Sequence, residues 1–275
     1  MPFQLKYEQL LENLRQLRRV VVAFSGGVDS TFLLKAAVEA LGRDNVLAVT
    51  SDAETYPERE RREAMALAKE IGSQHLVIQT SELNIPGYAE NPINRCYYCK
   101  QELFSHLIPI AQERGYDHVV FGAIADDLSD YRPGFKAALE KGVRAPLQEV
   151  GLAKTEIRAL SHQLGLRTWD KPSFACLSSR IPYGEVITQE KLTMIDKAEQ
   201  FLMDIGFRQV RVRQHDKLAR IEVLPQDIQK LAGFNEMIVS KLKSIGYMYI
   251  TIDLQGYRTG SLNETLETPK LEMAK

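Results

Sequence analysis

This 275-residue sequence is short of cysteine and tryptophan, has no basic excess and no long apolar run, and each shortage excludes something. Three cysteines are an odd set and too few for a disulfide framework in a chain this long, so metal binding or catalysis is the better use for them. A formal net charge of −1 offers no general grip on a long polyanion, which argues against nucleic acid as the partner. No apolar stretch approaches the roughly 20 residues of a membrane span. Residues 1–19 are charged throughout and carry no apolar signal segment, so the expectation is a cytoplasmic protein with no membrane partner. Two common nucleotide-binding strings, Gly-x-x-x-x-Gly-Lys-Ser/Thr and Gly-x-Gly-x-x-Gly, are both missing. None of His75, His106, His118, His162 and His215 stands at zinc-finger spacing from a cysteine. There is no internal repeat and no low-complexity tract.

What is present begins at Val20-Val21-Val22-Ala23-Phe24, an apolar run that enters Ser25-Gly26-Gly27-Val28-Asp29-Ser30 and continues with helical spacing to Leu41. That is a buried strand, a tight turn and a helix start. Unpaired N–H groups at such a helix start carry partial positive charge and bind anions. Two adjacent glycines let the backbone come close to a phosphate. The loop resembles the Ser-Gly-Gly-x-Asp-Ser loop of the PP-loop ATP pyrophosphatases, which implies ATP cleaved between its α and β phosphates, with pyrophosphate held on the loop.

Periodicity continues the pattern. Helices are expected over 5–18, 58–72, 96–114 and 154–165, with strands over 45–51, 75–79 and 118–122. Short apolar strands alternating with helices predict an α/β domain, a doubly wound parallel sheet with the loop at a strand's carboxyl end. The Pro- and Ser-rich stretch after residue 168 reads as a linker. A change of pattern follows: a helix over 189–205, a hairpin of 209–214 and 219–224, two helical stretches parted near Gly233, and a strand over 247–254. The expected organisation is therefore a PP-loop domain over 1–168, a linker over 169–186 carrying the third cysteine, a smaller α+β domain over 187–262 for substrate binding or oligomerisation, and a polar tail over 263–275.

Cys96 and Cys99 form a Cys-x-x-Cys at a helix start, where the helix dipole favours thiolate, and Cys176 lies far along the chain. Three thiolates suit a [4Fe-4S] cluster with one iron open. A zinc site completed by another residue, a redox pair with an unrelated third thiol, and three buried inert thiols all remain open on residue type alone.

The resemblance becomes specific at Asp130-Tyr131-Arg132-Pro133-Gly134, at Cys176-Leu177-Ser178-Ser179-Arg180-Ile181-Pro182-Tyr183-Gly184, and at Val210–Arg213 with Ala219–Glu222. These segments resemble the LarE family, and the likeness runs over about residues 10–262. It implies an ATP-dependent sulfur transferase that adenylylates the carboxylates of pyridinium-3,5-biscarboxylic acid mononucleotide and makes them thiocarboxylates, on the way to the nickel-pincer nucleotide of lactate racemase. Some family members sacrifice the sulfur of the cysteine matching Cys176. Others carry three cysteines resembling Cys96, Cys99 and Cys176 and use a [4Fe-4S] cluster, which is the type expected here, fed by a sulfide donor. The family also implies a homo-oligomer, up to a hexamer.

Roles follow from this chemistry. Ser25, Gly26, Gly27, Asp29 and Ser30 are expected to hold the ATP phosphates with Mg²⁺, whose first-choice ligands are Asp29 and Asp127, with Asp126 and Asp130 as alternatives. Thr50 at the end of the second strand is expected to border adenine. Lys154 resembles a phosphate-facing lysine of the superfamily. Cys176 is expected near the attacked acyl carbon in either sulfur mechanism, and Arg180 offers a bidentate guanidinium to a phosphate or an oxyanion. Arg211 and Arg213 share a strand face and are expected to clamp the substrate phosphate with Arg220. Glu199 and Glu222 join them by family similarity. Plainer readings stand beside these: a solvated loop for Asp126-Asp127, a solvated helix start for Lys154, an exposed charged strand face for the arginines. Two other PP-loop activities compete, tRNA thiolation and nitrogen insertion, and so does a nucleotide-binding regulatory module.

Overall fold

A computed structural model describes residues 3–129 and 133–266. The chain forms two compact units: residues up to Glu82 with Asn94–Phe174, and Leu83–Ile93 with residues from Ala175 on. It passes between them at Glu82–Leu83, at Ile93–Asn94 and at Phe174–Ala175, the last inside the segment read as a linker. Leu83–Ile93 joins the second unit because its polar groups are satisfied there: Asn91 Nδ2 donates to the carbonyls of Ile181 and Pro182, and the Tyr88 and Ser178 hydroxyls pair at 2.9 Å.

In the first unit the order is α1 (Phe3–Leu17), β1 (Val20–Ala23), α2 (Val28–Leu41), β2 (Val46–Asp52), α3 (Glu58–Ile71), β3 (Gln74–Gln79), α4 (Arg95–Glu113), β4 (His118–Phe121), α5 (Pro133–Glu140), α6 (Pro146–Glu149) and α7 (Lys154–Gln163). The strands are parallel in the order β3-β2-β1-β4. From β1 the chain builds outward through β2 and β3 and then returns to β1's other edge as β4. The switch point is therefore at β1, where a doubly wound sheet opens a crevice at its strand ends. Alternate residues of β1 and β2 divide between two cores. Val20, Val22, Val46 and Ala48 pack with Phe32, Leu33 and Leu67 on one face, while Val21, Leu47 and Val49 pack with Phe104 and Leu107 on the other. This is the doubly covered sheet that the apolar strand composition predicts.

Helix ends follow the sequence signals. Pro57 precedes α3, and Gly72 ends it in the left-handed region at φ 82°, its N–H returning to the Ala68 and Lys69 carbonyls. The short helices α5 and α6 were not among the expected elements. Both start on a proline, which reads as a turn yet is tolerated in a first helical turn.

In the second unit the order is α8 (Gln189–Asp204), β5 (Val210–His215), β6 (Leu218–Val223), α9 (Ile228–Gly233), α10 (Asn235–Ile245) and β7 (Tyr249–Ile252). β5 and β6 form the expected antiparallel hairpin, and β7 adds in parallel to β6. The α8 face carrying Ala198 and Leu202 packs on Val210, Val212 and Ile221.

Candidate functional site

The Ser25–Ser30 loop leaves the carboxyl end of β1 and opens α2. Gly26 has φ +62°, and a Cβ there would lie 3.1 Å from Ala64 Cα and Cβ, so the position requires glycine for conformation and for space. Ser30 Oγ accepts from the Ser25 N–H at 3.3 Å, sits 3.1 Å from Ser25 Oγ, and donates to the Gly27 carbonyl, closing the loop on itself. Among the described residues, the N–H groups of Gly26, Gly27, Val28 and Asp29 have no backbone acceptor. They form a row of donors at a helix start, the arrangement an anion binds.

Acidic and basic groups stand around this row. Lys154 Nζ, at the start of α7, meets both Asp29 carboxylate oxygens at 2.8 and 2.7 Å. Burial pushes the Asp29 carboxyl above its ordinary range, partly offset by Lys154, and the charge of Asp127 adds to the rise. Asp127 Oδ2 accepts from the Ile124 N–H at 2.9 Å. Asp126 Oδ2 accepts from the Lys154 N–H at 2.8 Å and so caps α7. Of the metal-ligand candidates, Asp29 and Asp127 are the pair whose charges meet, and Asp126 serves the helix. Asp130 lies outside the described residues. This carboxylate pair would fit Mg²⁺, which needs one or two carboxylates and keeps water for the rest.

Thr50 lies near the end of β2. It is buried, and its hydroxyl lies 2.8 Å from both the Phe24 carbonyl, to which it donates, and His75 Nε2. Its hydroxyl ties the end of β2 to the residue before the loop. Burial holds His75 below its ordinary pKa.

Cys96 and Cys99 sit in the first turn of α4, as the spacing predicts. Cys96 is exposed, and the Cys99 thiol donates to Glu82 Oε1 at 3.6 Å. Burial raises the Glu82 carboxyl above its ordinary range. Among the described residues no three His, Cys, Asp or Glu side chains are grouped as a metal site. Cys96 and Cys99 belong to the first unit and Cys176 to the second.

In the second unit, Cys176 precedes a 3₁₀ turn over Leu177–Arg180. Arg180 is fully buried. Its Nε and one terminal nitrogen bind the two oxygens of Glu199 at 2.8 and 2.9 Å. The other nitrogen donates to the carbonyls of Ala175 and Cys176 at 2.5 and 2.9 Å and to Ser179 Oγ at 2.9 Å. Burial opposes both charges, yet the bidentate pair outweighs it, keeping Glu199 below and Arg180 above their ordinary pKa values. Glu199 also accepts the Val212 N–H at 3.0 Å. The guanidinium expected to face a phosphate or oxyanion is thus committed to the turn that carries Cys176.

The β5 arginines are not an exposed charged face: Arg211 and Arg213 are both buried. Arg213 binds both Glu222 oxygens at 2.9 and 2.8 Å, the Ser179 carbonyl at 2.7 Å and Ser261 Oγ at 2.8 Å. Arg220 reaches Glu222 at 3.3 Å and remains about a third exposed. Arg211 lies 5.2 Å from the centroid of the Tyr257 ring, and burial together with the neighbouring Arg180 charge lowers its pKa to about 10. The unit thus gathers Arg180, Arg211, Arg213 and Arg220 around two buried glutamates, beside the Cys176 turn.

Sequence reading missed Tyr56, Lys171 and Gly122, all of which act on the loop. Tyr56 Oη donates to the Ser25 carbonyl at 2.8 Å, and Lys171 Nζ donates to the Gly26 carbonyl at 3.2 Å. A Cβ on Gly122 would lie 3.0 Å from the Ser30 nitrogen, so the end of β4 closes directly on the α2 start. Only the glycine after a strand end was a signal available in advance.

The NAD synthase family profile matches residues 7–89. The chain is 46% identical over 265 residues to an uncharacterized protein of Synechocystis sp., covering 94% of this chain and 98% of that protein. It is 41% identical over 266 residues to the pyridinium-3,5-bisthiocarboxylic acid mononucleotide synthase of Lactiplantibacillus plantarum, covering 97% of this chain and 96% of that enzyme. Against the 7-cyano-7-deazaguanine synthase of Koribacter versatilis the identity is 30% over 179 residues, 54% of this chain and 76% of that enzyme.

Proposed function

The chain belongs to the LarE family of pyridinium-3,5-bisthiocarboxylic acid mononucleotide synthases, and from that premise we propose that it is the ATP-dependent sulfur transferase that turns the carboxylates of pyridinium-3,5-biscarboxylic acid mononucleotide into thiocarboxylates for a nickel-pincer cofactor. The observation that carries the proposal is the Ser25–Ser30 loop, with its row of unpaired N–H groups beside Asp29, Asp127 and Lys154.

A carboxylate resists attack by sulfur until its oxygen is made a leaving group. One substrate carboxylate oxygen attacks the α phosphorus of ATP, the bond to the β-phosphate oxygen breaks, and pyrophosphate leaves with its charge held on the loop N–H groups; Mg²⁺, when bound, would neutralise phosphate charge there. Asp29 and Asp127 would hold Mg²⁺, and Lys154, which meets Asp29 at 2.8 and 2.7 Å, would supply a further cation for that charge. A sulfur nucleophile then attacks the acyl carbon and AMP departs. Cys176 stands beside the acyl carbon at which the sulfur is delivered. Arg180 and Glu199 hold its turn, and Arg211, Arg213 and Arg220 with Glu222 receive the substrate's phosphate end. The Cys96, Cys99 and Cys176 pattern supports a [4Fe-4S] cluster as sulfur carrier, supplied by a sulfide donor. Oligomerisation, up to a hexamer, belongs to the same proposal.

The test is to incubate anaerobically purified protein with Mg·ATP and the biscarboxylic mononucleotide, and to measure AMP, pyrophosphate and product mass. AMP formation with thiocarboxylate product is expected. AMP formation that needs bulk tRNA instead would overturn the reading. Iron and acid-labile sulfide near four per chain, lost in Cys96→Ala, are expected for the cluster source. An iron-free protein that loses the mass of H₂S on turnover would assign the sulfur to Cys176 itself.

A further inference from the structure

Every carbonyl from Phe24 to Gly27 accepts a hydrogen bond. Phe24 O accepts from Thr50 Oγ1 at 2.8 Å, Ser25 O from Tyr56 Oη at 2.8 Å, Gly26 O from Lys171 Nζ at 3.2 Å, and Gly27 O from Ser30 Oγ at 3.3 Å and the Thr31 N–H at 2.9 Å. In a trans peptide the carbonyl of one residue and the N–H of the next lie in one plane and point opposite ways. Fixing the Ser25 carbonyl therefore aims the Gly26 N–H, and fixing the Gly26 carbonyl aims the Gly27 N–H. This matters most at Gly26-Gly27, where the absence of side chains makes rotation of a peptide plane cheap. A flipped plane would replace a donor by a carbonyl oxygen and repel the anion.

The two fasteners are themselves held. Lys171 Nζ also binds Glu60 Oε2 at 2.8 Å and Glu63 Oε2 at 2.6 Å, and the Lys171 carbonyl accepts from Arg158 at 2.8 Å. The Tyr56 ring meets the Phe174 ring edge-on, with centroids 6.4 Å apart. A cation this well anchored has little freedom to leave the loop for a ligand.

We propose that Tyr56 and Lys171 are positioning residues for phosphate binding: they lock the Ser25–Gly26 and Gly26–Gly27 peptide planes so that both N–H groups face the departing pyrophosphate. This inference rests on the reading of the loop as the ATP site. It assigns Tyr56 and Lys171 an effect on nucleotide chemistry without a contact to the nucleotide.

The experiment compares wild type, Tyr56→Phe, Lys171→Met and Lys171→Arg. It measures Mg·ATP binding by calorimetry, kcat and KM for AMP formation, and thermal melting. Losing one fastening hydrogen bond should weaken Mg·ATP binding about fivefold and raise KM for ATP to match, with a further fall in kcat, because the aligned donors act most strongly on the leaving pyrophosphate. KM for the carboxylate substrate stays within about twofold, and Lys171→Arg recovers most of the loss. Tyr56→Phe keeps its ring against Phe174, so it carries the test if Lys171→Met fails to fold. Wild type that binds Mg·ATP while folded Tyr56→Phe binds it equally well defeats the positioning inference alone. Wild type that does not bind Mg·ATP defeats the ATP-site reading and the inference with it.

Discussion

Two buried side chains show how single residues set the chemistry here. Arg180 and Glu199 are both wholly buried and satisfy each other in a bidentate pair. Removing one charge leaves the other without compensation, which costs about 3–5 kcal/mol where such pairs have been broken. Glu199→Gln keeps the shape and removes the charge, so urea unfolding should show a loss of that size, with sulfur transfer lost as the Cys176 turn loosens. A change below about 1 kcal/mol would mean that the pair does not hold the turn. His75 gives a pH test. Burial lowers its pKa from 6.5 in the folded protein, so as pH falls the unfolded chain takes up the proton first. Stability from this residue is complete above about pH 6.5 and declines as pH drops from there toward the folded pKa. His215 is shifted the same way, by burial and then by the Arg220 charge. Melting temperature should therefore fall on mild acidification, and His75→Gln should remove part of the slope and leave the part due to His215. An unchanged slope in the variant would exclude His75 as a contributor.

At the scale of elements, the β1–loop–α2 unit was legible because all its signals are local. An apolar run, two glycines and a helical period lie within about twenty consecutive residues, and each has a short-range physical cause. The helix ends were legible for the same reason, through Pro57 and Gly72. The fasteners of the loop were not. Tyr56 lies 31 positions from Ser25, and Lys171 lies 145 positions from Gly26, so their hydrogen bonds exist only once the sheet is assembled. The arginines of β5 show the same limit. A spacing of two puts Arg211 and Arg213 on one face, but whether that face meets water or Glu222 is decided by β6 and the Cys176 turn. Gly26 turns the loop's geometry into a prediction. Alanine there must hold φ near +62° at about 1–2 kcal/mol and push its Cβ against Ala64 in α3. Gly26→Ala should lower the melting temperature and reduce Mg·ATP affinity more than tenfold, both readable by calorimetry. Wild-type affinity in this variant would show that the loop reaches its phosphate-binding form without the left-handed residue.

At the scale of the whole molecule, the two units divide the proposed reaction into halves that one variant can separate. The loop, Asp29, Asp127 and Lys154 all belong to the first unit, while Cys176, its Arg180–Glu199 support and the buried arginine cluster belong to the second. Adenylylation needs the donors and metal ligands of the first but makes no bond to sulfur. Sulfur transfer needs Cys176 but consumes no further ATP bond once the acyl-adenylate exists. Cys176→Ala should therefore still release pyrophosphate in the presence of Mg·ATP and the biscarboxylic mononucleotide, close to one equivalent in a single turnover. Hydroxylamine should trap the stranded acyl group, and no thiocarboxylate should appear in the product mass. Asp29→Asn should abolish pyrophosphate release and sulfur transfer together, because the first step precedes the second. Loss of pyrophosphate release in folded Cys176→Ala would place the cysteine in the activation step and refute this division of labour. A wild-type melting temperature in each variant separates a failed site from a misfolded chain.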